Sequence, residues 1–494
     1  MSDFKPGNLD FVDTTLRDGP HSLWAQKVTT PMMLPVCETL DEAGFRALEV
    51  MGSGNFKKCI RDLKEDPWRK IDALAARIRR TRMAFVMLPS VTTFDITPPA
   101  VLRLYVERLA AHGMRRMHLM ESANDMGNRI PEMIDTMRQV GMESVIALVY
   151  SISPKHSDEY YARKAGEAAA LKPDVIYLKD PAGLLTPERT RTVVPAILSR
   201  AGAVPVEIHS HCTTGLAPLC YLEAIKLGIK VVHTGIPPLA NGAAQPSVFN
   251  IAKNAALLGF QPTVKLDRLP EVSAHFNAIA KREGYSVGAP LEYDVSQYLH
   301  HVPGGVISHL RHQITQLGMG ERLPEVLEEV ARVRVEFGYP IMVTPFSQFV
   351  ASQAALNVML GERYRQVSDE VIQFALGWWG AEAAEGMESG VKQKILDSAR
   401  AKEIAAKRPS VPTLAEVRER LGGAGLSDDE LLLRFISPEG EIAAMRAAGE
   451  PKPYSATRNS LLELVKELAK RKDLRAIHVR SGETSITLRG RVVG

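Results

Sequence analysis

The sequence has few cysteines and lacks any long apolar run. Its cysteines are Cys37, Cys59, Cys212 and Cys220, and none belongs to a CxxC pair. Four cysteines in 494 residues do not make a disulfide framework, so we expect a protein of the reducing cytoplasm. No run approaches the ~20 apolar residues that a membrane span needs, and the N-terminus lacks the pattern of a signal peptide. The sequence therefore predicts no direct contact with a membrane.

An excess of charge of one sign is also missing. Lys and Arg total 61 against 57 for Asp and Glu, which leaves a formal net charge of +4. Because no dense basic stretch accompanies this balance, the composition disfavours a nucleic-acid partner. Hydrophobic residues at 45% and charged residues at 24% are typical of a well-packed soluble protein.

Eight short apolar runs alternate with longer amphipathic segments up to about residue 260. Regular alternation of this kind predicts parallel strands, and eight units in about 250 residues predict a (β/α)8 TIM barrel over residues 1–262. A doubly wound sheet is the alternative, but the Gly-rich first turn that such sheets often carry is absent. The predicted strands are Phe11–Asp13, Ala47–Val50, Met83–Met87, Met117–Met120, Val145–Val149, Val175–Lys179, Val206–His209 and Val231–Thr234.

The chain changes character after the predicted barrel. Helical spacing dominates residues 263–450, which we interpret as a mostly helical second domain. Residues 451–494 begin with a Pro-rich linker and continue with a predicted helix at 460–472 and a hairpin of strands 476–480 and 485–489. This small element either docks a partner or caps the helical domain.

Polar side chains end several predicted strands. They include Asp13, Glu49, Lys179 and His209, and a barrel carries its active site at that end of its strands. His209 and His211 form a His-x-His pair that can direct two imidazoles at one point. Asp13 ends the first strand, which lies close to the seventh in a closed barrel. Imidazole and carboxylate suit zinc, cobalt or manganese, so the sequence predicts a divalent metal site here.

Lys179 allows three interpretations. A buried ammonium beside a divalent cation is repelled by it and is costly to desolvate. The side chain is therefore a neutral base, the partner of Asp180 in a salt bridge, or a carbamate formed with carbon dioxide. The residues alone leave these three alternatives open.

The motifs resemble those of the carboxyltransferase family of pyruvate carboxylase (B-subunit type), the oxaloacetate decarboxylase α subunit and transcarboxylase. The resemblance runs in the family's order over roughly residues 8 to 450. Its segments are Asp13–Asp18 with Ser22, Glu49–Ser53 through Cys59 to Glu65–Trp68, Lys179–Leu185, His209–Gly215 and Ala244–Ser247.

The resemblance implies a role for each matching residue. Carboxybiotin arrives from another active site and releases carbon dioxide, which a metal-stabilised enolate captures. Arg17 contacts the substrate, and Asp180 supports Lys179. The metal ligands are Asp13, His209, His211 and a carboxylated Lys179, and biotin lies near Ala243, Gln245 and Ser247.

The resemblance also implies partners. We find no biotin-attachment sequence and no ATP-binding region in the chain. Biotin and ATP are therefore expected on other chains, namely a biotin carboxyl carrier protein and a biotin carboxylase subunit. Relatives suggest a homodimer inside this larger multi-subunit complex.

The departures from the family pattern fall on the substrate side. Val86 lies where the third strand usually ends in an arginine that binds the pyruvate carboxylate, and Ala243 replaces a proton-shuttling threonine. His21 replaces a glutamine, Cys212 an aspartate, and His233 another aspartate. We therefore expect a small-molecule acceptor other than pyruvate. His21 and His233 are either acid–base residues or structural hydrogen-bonding residues.

Three rival functions remain open at this point. The first motif and the His-x-His pair also resemble HMG-CoA lyase and isopropylmalate synthase, which would make the protein a lyase or synthase. The same half-reaction run backwards would make it a biotin-dependent decarboxylase of a keto compound. A third rival is a non-catalytic scaffold that retains the barrel.

Overall fold

We describe the fold from a computed structural model of the chain. The described residues are 7–92, 96–302, 310, 314–315, 318, 320–407, 411–451, 454, 476–481 and 484–489. The predicted helix at 460–472 lies outside them.

All eight predicted strands are present, and they form a closed parallel barrel. Each strand pairs with the next, and β1 pairs with both β2 and β8, which closes the sheet. A short ninth strand, Gln261–Pro262, pairs in parallel with the first two residues of β1. The predicted (β/α)8 barrel is therefore confirmed. The strands are β1 Asn8–Asp13, β2 Ala47–Gly52, β3 Arg82–Met87, β4 Arg116–Leu119, β5 Glu143–Val149, β6 Val175–Asp180, β7 Val206–Ser210 and β8 Val231–Thr234.

Helices follow the strands and cover the outside of the barrel. The helix Pro187–Ala201 shows how the sequence starts one: the Thr186 hydroxyl accepts from the Arg189 N–H, and a proline fixes the first turn. The helices of this part are Asp18–Leu23, Thr30–Met33, Cys37–Glu42, Ser53–Lys58, Pro67–Ala75, Pro99–Ala111, Ile130–Gln139, Asp158–Ala170, Pro187–Ala201, Ala217–Lys226 and Val248–Leu257.

The predicted second domain contains helices of two different cores. Leu269–Glu283 and the helices of residues 414–448 pack on the barrel core, whereas the helices between residues 323 and 406 share a core of their own. Only this middle group forms a separate helical lobe among the described residues. The later helices are Leu269–Glu283, Gln297–His300, Leu323–Glu336, Phe346–Leu360, Asp369–Ala375, Ala381–Glu385, Ser389–Leu396, Ala399–Ala406, Leu414–Leu421, Asp428–Ile436 and Glu439–Ala448.

The helical lobe covers the barrel near the C-terminal ends of β4 and β5. Arg334 is buried and donates to the Ser151 hydroxyl at 3.1 Å and the Ile152 carbonyl at 2.8 Å. The Ser122 hydroxyl donates to the Thr344 carbonyl at 2.6 Å. The lobe therefore sits at the end of the barrel where the sequence predicts the active site.

The C-terminal element contains the two predicted strands. Ala476–Ser481 and Thr484–Arg489 pair antiparallel, with Ala476 opposite Arg489. Throughout the described part of the chain, no helix has the length and apolar character that a bilayer crossing demands.

Candidate metal centre

The C-terminal ends of β6 and β7 bring a lysine and two histidines together. Lys179 and His209 are register partners on these neighbouring strands, and His211 follows two residues later. The helix Asp18–Leu23 begins after β1 and places Asp18 opposite them. All four side chains are buried or nearly so.

The side-chain atoms converge on one point. The Nε2 atoms of His209 and His211 are 3.4 Å apart. The Asp18 Oδ2 atom lies 3.3 Å from the first and 3.8 Å from the second. The Lys179 Nζ atom lies 3.2 Å from the His209 Nε2 atom and 4.0 Å from Asp18 Oδ2. Two imidazoles and a carboxylate within this distance form a set that could hold a metal ion.

The hydrogen bonds assign the protons of His211. Its Nδ1 atom lies 2.6 Å from the Ala243 carbonyl, which can only accept, so Nδ1 carries the hydrogen. The Nε2 atom of the neutral ring is then bare. The Gln245 side-chain nitrogen lies 3.1 Å from it and acts as the donor, and it also lies 3.2 Å from the His209 Nε2 atom. A bare imidazole nitrogen beside a second imidazole and a carboxylate favours a cation between them.

Charge at the centre is set by burial and by near neighbours. Burial alone would raise the pKa of Asp18, but Arg17, His211, His209 and Lys179 outweigh it and hold that pKa well below its ordinary value. Burial lowers the pKa of Lys179, and Asp18 opposes this shift only in part. Asp18 is therefore an anion here, while the lysine ammonium is destabilised.

The structure places Asp18, rather than the predicted Asp13, beside the histidines. The two carboxylate oxygens of Asp13 accept from Thr15, at 2.6 Å from its hydroxyl and 3.1 Å from its N–H. Burial raises the pKa of Asp13 to about 7. Asp18 is the other acid of the same motif, and Ser22, also part of the motif, donates to it at 3.0 Å.

Asp180 does not pair with Lys179, which corrects the predicted support. Its carboxylate accepts from the N–H groups of Leu184 and Leu185, both at 2.9 Å, and from the Ser210 hydroxyl at 2.8 Å. Successive residues of a strand point to opposite faces, so Asp180 points away from Lys179. Its role is to fix the turn after β6.

Arg17 lies at the centre but has its charge compensated. Its Nε and Nη2 atoms donate to Glu49 at 2.8 and 2.5 Å, and Nη2 also donates to Asp18 at 2.7 Å. These contacts orient Asp18 toward the histidines. The Nε and Nη2 atoms are thus occupied, and the predicted contact with substrate would have to use the other side of the guanidinium group.

His21 lies one helical turn beyond Arg17, and its side chain is exposed to solvent. Its Nδ1 atom lies 2.6 Å from the Gln26 side-chain nitrogen. The ring therefore occupies an accessible position close to the centre.

His233 lies in the barrel interior, directly behind His209. The Nδ1 atoms of the two rings are 3.3 Å apart, and the His233 Nε2 atom lies 2.9 Å from Glu207. Arg116, also fully buried, donates to Glu207 at 2.5 Å. Burial alone would raise the pKa of Glu207, but Arg116 and His233 outweigh it and hold the pKa below its ordinary value.

A second group with metal-ligand side chains lies deeper in the barrel, at Glu49, His118 and His233. Its nitrogens are already committed. The His118 Nε2 atom accepts from Arg116 at 2.9 Å, so its Nδ1 hydrogen goes to Glu49 at 3.0 Å. Burial lowers the pKa of His118 to about 4. This group is a satisfied hydrogen-bond network and not a second metal site.

Two of the three residues expected near biotin contact the histidines of the centre. Ala243 offers its carbonyl to His211, and Gln245 directs its amide nitrogen between the two histidines. The Ser247 N–H donates to the Asn241 side chain at 3.2 Å and precedes the helix Val248–Leu257. Gln245 therefore bonds the predicted metal ligands themselves.

The substrate side of the barrel end is apolar at β3. Val86 and Met87 are both buried, and Leu88 follows them. A small cavity of about 40 Å³ lies beyond, between the barrel and the helical lobe. Arg129 lines this cavity, and its Nη1 atom donates to the carbonyls of Pro89 and Thr97, both at 3.0 Å.

Two family models match the chain in succession. Residues 8–275 match the HMGL-like model, and residues 298–459 match the conserved carboxylase domain. The second match favours a carboxylase relative over the lyase and synthase alternatives, because those rivals were based on the barrel motifs alone.

Curated relatives cover nearly the whole chain. The B subunit of pyruvate carboxylase from Methanocaldococcus jannaschii is 32% identical over 469 residues, covering 93% of this chain and 82% of that protein. The methylmalonyl-CoA carboxyltransferase 5S subunit of Propionibacterium freudenreichii subsp. shermanii is 28% identical, covering 88% and 87%. The 2-oxoglutarate carboxylase large subunit of Hydrogenobacter thermophilus is 28% identical, covering 86% and 66%.

Solved structures share the fold. The carboxyl transferase domain of Rhizobium etli pyruvate carboxylase with 3-bromopyruvate has a TM-score of 0.80 at 21% identity, covering 92% of this chain and 84% of that one. The complete multifunctional pyruvate carboxylase of the same organism has a TM-score of 0.79, and the chain covers 49% of it. These likenesses confirm a barrel followed by a helical region.

Proposed function

The chain belongs to the carboxyltransferase family, and from that premise we propose that it is the carboxyltransferase component of a multi-subunit biotin-dependent carboxylase. The observation that carries the proposal is the convergence of His209, His211 and Asp18 at the C-terminal end of the barrel. In this role the protein moves a carboxyl group from carboxybiotin to the α-carbon of a carbonyl acceptor.

Asp18, His209 and His211 would hold a divalent ion, zinc, manganese or cobalt, with the bare Nε2 atoms as ligands. Such an ion supplies Lewis-acid polarisation of the acceptor carbonyl, which favours its enolate. Arg17 fixes the orientation of Asp18, and Gln245 shields the two nitrogens until the site is loaded.

Lys179 is the proposed fourth ligand after reaction with carbon dioxide. Because burial lowers its pKa, the neutral amine is accessible, and its nitrogen can attack the carbon of carbon dioxide and lose a proton. The carbamate that results is an anion. The Lys179 Nζ atom lies 3.2 Å from the Nε2 atom of His209, a proposed ligand, so an ammonium there would repel the metal ion. The carbamate would attract it instead.

We propose an acceptor other than pyruvate. Two features support this: Val86 and Met87 make the barrel end apolar, with the neighbouring Arg129 bonded to the Pro89 and Thr97 carbonyls, and Ala243 has no hydroxyl to shuttle a proton. Arg17 cannot serve as a free clamp, because its Nε and Nη2 atoms already bind carboxylates. An acceptor with a neutral or apolar group at β3 fits better.

Biotin is expected on a separate carrier chain, and ATP on a biotin carboxylase subunit, because the relative from Methanocaldococcus jannaschii is itself one subunit of a pyruvate carboxylase. A cytoplasmic location and a homodimer within the larger assembly belong to the same proposal. The decarboxylating direction of the same half-reaction is a second candidate, because the transfer is reversible.

The test is a panel of acceptors given to the chain together with its carrier and biotin carboxylase subunits. Pyruvate, 2-oxoglutarate, propionyl-CoA and neutral ketones are compared for ATP-dependent fixation of labelled bicarbonate. We expect product from a non-pyruvate member at a rate at least about tenfold above pyruvate, a difference of about 1.4 kcal/mol in activation free energy. Equal or faster carboxylation of pyruvate would refute the acceptor proposal and leave the carboxyltransferase proposal intact.

A further inference from the structure

We infer that Glu207, His233 and His209 form a hydrogen-bond relay in the barrel interior that fixes the proton of His209 and positions its Nε2 atom for the metal. This inference rests on the metal site of the proposed function. It assigns a positioning role to His233 and Glu207, which touch neither substrate nor metal.

The relay begins at His209, whose surroundings decide which ring nitrogen carries the hydrogen. Its Nε2 atom lies 3.2 Å from two donors, the Lys179 amine and the Gln245 amide nitrogen, and 3.3 Å from one acceptor, the Asp18 Oδ2 atom. The amide orientation is set independently, because the same nitrogen must donate to the bare Nε2 atom of His211. Nε2 is also the atom that faces Asp18 and His211 across the proposed metal position, and a metal ligand must offer a lone pair there, so in the metal-binding form the hydrogen of neutral His209 is on Nδ1.

His233 is the middle member of the relay and links His209 to Glu207. Its Nδ1 atom lies 3.3 Å from the His209 Nδ1 atom, so it must accept that hydrogen. The remaining hydrogen of His233 is then on Nε2, which donates to Glu207 at 2.9 Å. The His233 ring stacks on Tyr177 at an interplanar angle of 9°, which holds it in the plane that both bonds need.

The Glu207 carboxylate lies behind His233 in the relay. Glu207 is 1% exposed and accepts from Arg116 at 2.5 Å. Glu207 and His209 are two residues apart on β7 and therefore lie on the same face of the strand. The order of bonds is thus Arg116 to Glu207, Glu207 to His233, and His233 to His209.

A relay through a neutral ring has a physical advantage over a carboxylate placed directly behind His209. Metal-binding histidines usually donate their second N–H to a carboxylate or carbonyl, which orients the ring and raises its basicity. Asp18 and Glu49 already place two carboxylates around Arg17. His233 transmits the effect of Glu207 without adding a third carboxylate next to them.

His118 provides a matched control inside the same barrel. Like His233 it has no exposed surface and makes one hydrogen bond through each ring nitrogen, in its case to Arg116 at 2.9 Å and to Glu49 at 3.0 Å. Unlike His233, it has no hydrogen bond to His209, His211 or Asp18 among the described residues. Removing its ring breaks two buried hydrogen bonds, to Arg116 and Glu49, but leaves the acceptor of His209 in place, so the variant tests whether a loss is specific to the His233–His209 bond.

The experiment measures the Zn²⁺ dissociation constant of the full chain by chelator competition, with the Co²⁺ absorption band as a second readout. His233→Leu should bind Zn²⁺ about 10–100-fold more weakly than the natural chain, and its Co²⁺ band should shift. His118→Leu should lose less than about tenfold, because it disturbs Arg116 and Glu49 without removing the acceptor of the His209 hydrogen. His233→Asn should recover part of the affinity, because its amide oxygen takes the place of Nδ1 and can accept from His209, whereas the side chain is too short to replace Nε2 at Glu207.

Each outcome decides a different point. If the natural chain binds no Zn²⁺ or Co²⁺, the proposed metal site itself fails. If it binds and His233→Leu binds equally well, or His118→Leu loses as much, the relay is wrong. Should His233→Leu fail to fold, Glu207→Gln decides: the relay predicts about tenfold weaker Zn²⁺ binding, and unchanged binding overturns it.

Discussion

The carboxylate that meets the two histidines is the single residue on which the centre depends most. Asp18→Asn keeps the shape of the side chain but removes its charge, so we expect a loss of Zn²⁺ affinity beyond the about 10–100-fold seen for outer partners. Asp13→Asn should change the affinity by less than about threefold, because within the described part of the chain the Asp13 side chain bonds Thr15 and none of the residues of the centre. Isothermal titration of both variants with Zn²⁺ measures the two affinities. An equal loss of Zn²⁺ affinity in both variants would show that Asp13 is also a metal ligand.

Some residues of the centre could be predicted from the sequence and others could not. His209 and His211 carry a spacing that points to a metal, and both lie at the centre. Asp18 was missed because a strand end seemed the natural place for a ligand, whereas the chain turns back after β1. Glu207 carried a usable signal, since it lies two residues before His209 and shares its face of β7.

The role of His233 could not be derived from the chain alone. It depends on how β7 and β8 pair and on the side of the ring that meets His209. The replacement of an aspartate by this histidine marked the position without revealing its partner. Only the three-dimensional arrangement shows Glu207 behind it.

Among the turns, the one after β6 is built around a glycine that no other residue can replace. Gly183 has a φ of +66°, and a Cβ there would lie 2.5 Å from the His211 carbonyl oxygen. Gly183→Ala should therefore lower the free energy of unfolding by about 2–5 kcal/mol and weaken Zn²⁺ binding. Urea unfolding and metal titration provide the measurements.

Gly141 is the matched control for this turn. Its φ is +68°, but a Cβ there meets nothing within 4 Å. Gly141→Ala should cost only the about 1–2 kcal/mol of the left-handed conformation and should leave Zn²⁺ binding unchanged. Equal effects of the two alanines would show that backbone strain alone, and not contact with the His-x-His loop, is at work.

Asp41 ties the helix Cys37–Glu42 to the start of β3. Its carboxylate accepts from the N–H groups of Arg79, Arg80 and Thr81, at 2.7 to 3.1 Å. Burial raises its pKa, but these backbone bonds outweigh burial and lower the pKa overall. A carboxyl group with a lowered folded pKa stabilises the fold above its unfolded pKa of about 3.9, and this stability is lost as the pH falls through the folded value.

Asp41→Asn should accordingly destabilise the chain by about 1–3 kcal/mol at pH 7. The difference from the natural chain should shrink as the pH falls below about 4. Urea unfolding over a pH series measures it. A difference that stays constant from pH 7 to pH 3 would contradict the assigned role of the charge.

The strands were predictable for a clear reason. A parallel barrel buries both faces of each strand, so all eight appear as apolar runs, as in Val145–Val149. The distribution of the later helices was not predictable. Leu431 and Met445 join the barrel core although they follow the helical lobe, and nothing in their helical spacing distinguishes them from the lobe helices.

At the scale of the whole molecule, the helical lobe is held on the barrel by a buried arginine. Arg334 donates to Ser151 and Ile152, and burial lowers its pKa to about 10. Arg334→Met leaves these acceptors unpaired and should cost about 2–3 kcal/mol. Arg332→Met, at a side chain that is 67% exposed, should stay within about 0.5 kcal/mol.

Thermal unfolding and limited proteolysis measure this docking. In Arg334→Met the lobe should become cleavable at lower protease concentration than in Arg332→Met. If both variants behave alike, Arg334 does not hold the two parts together.

The central claim is that this chain transfers a carboxyl group from carboxybiotin at the Asp18, His209 and His211 centre. The most direct measurement starts from a carrier protein bearing ¹⁴C-carboxybiotin and adds the chain with the acceptor that the panel identifies. We predict rapid movement of the label from the carrier into an acid-stable product, and a loss of at least about 100-fold in rate for Asp18→Asn. The claim is contradicted if the label leaves the carrier no faster than in buffer, or if Asp18→Asn transfers it as fast as the natural chain.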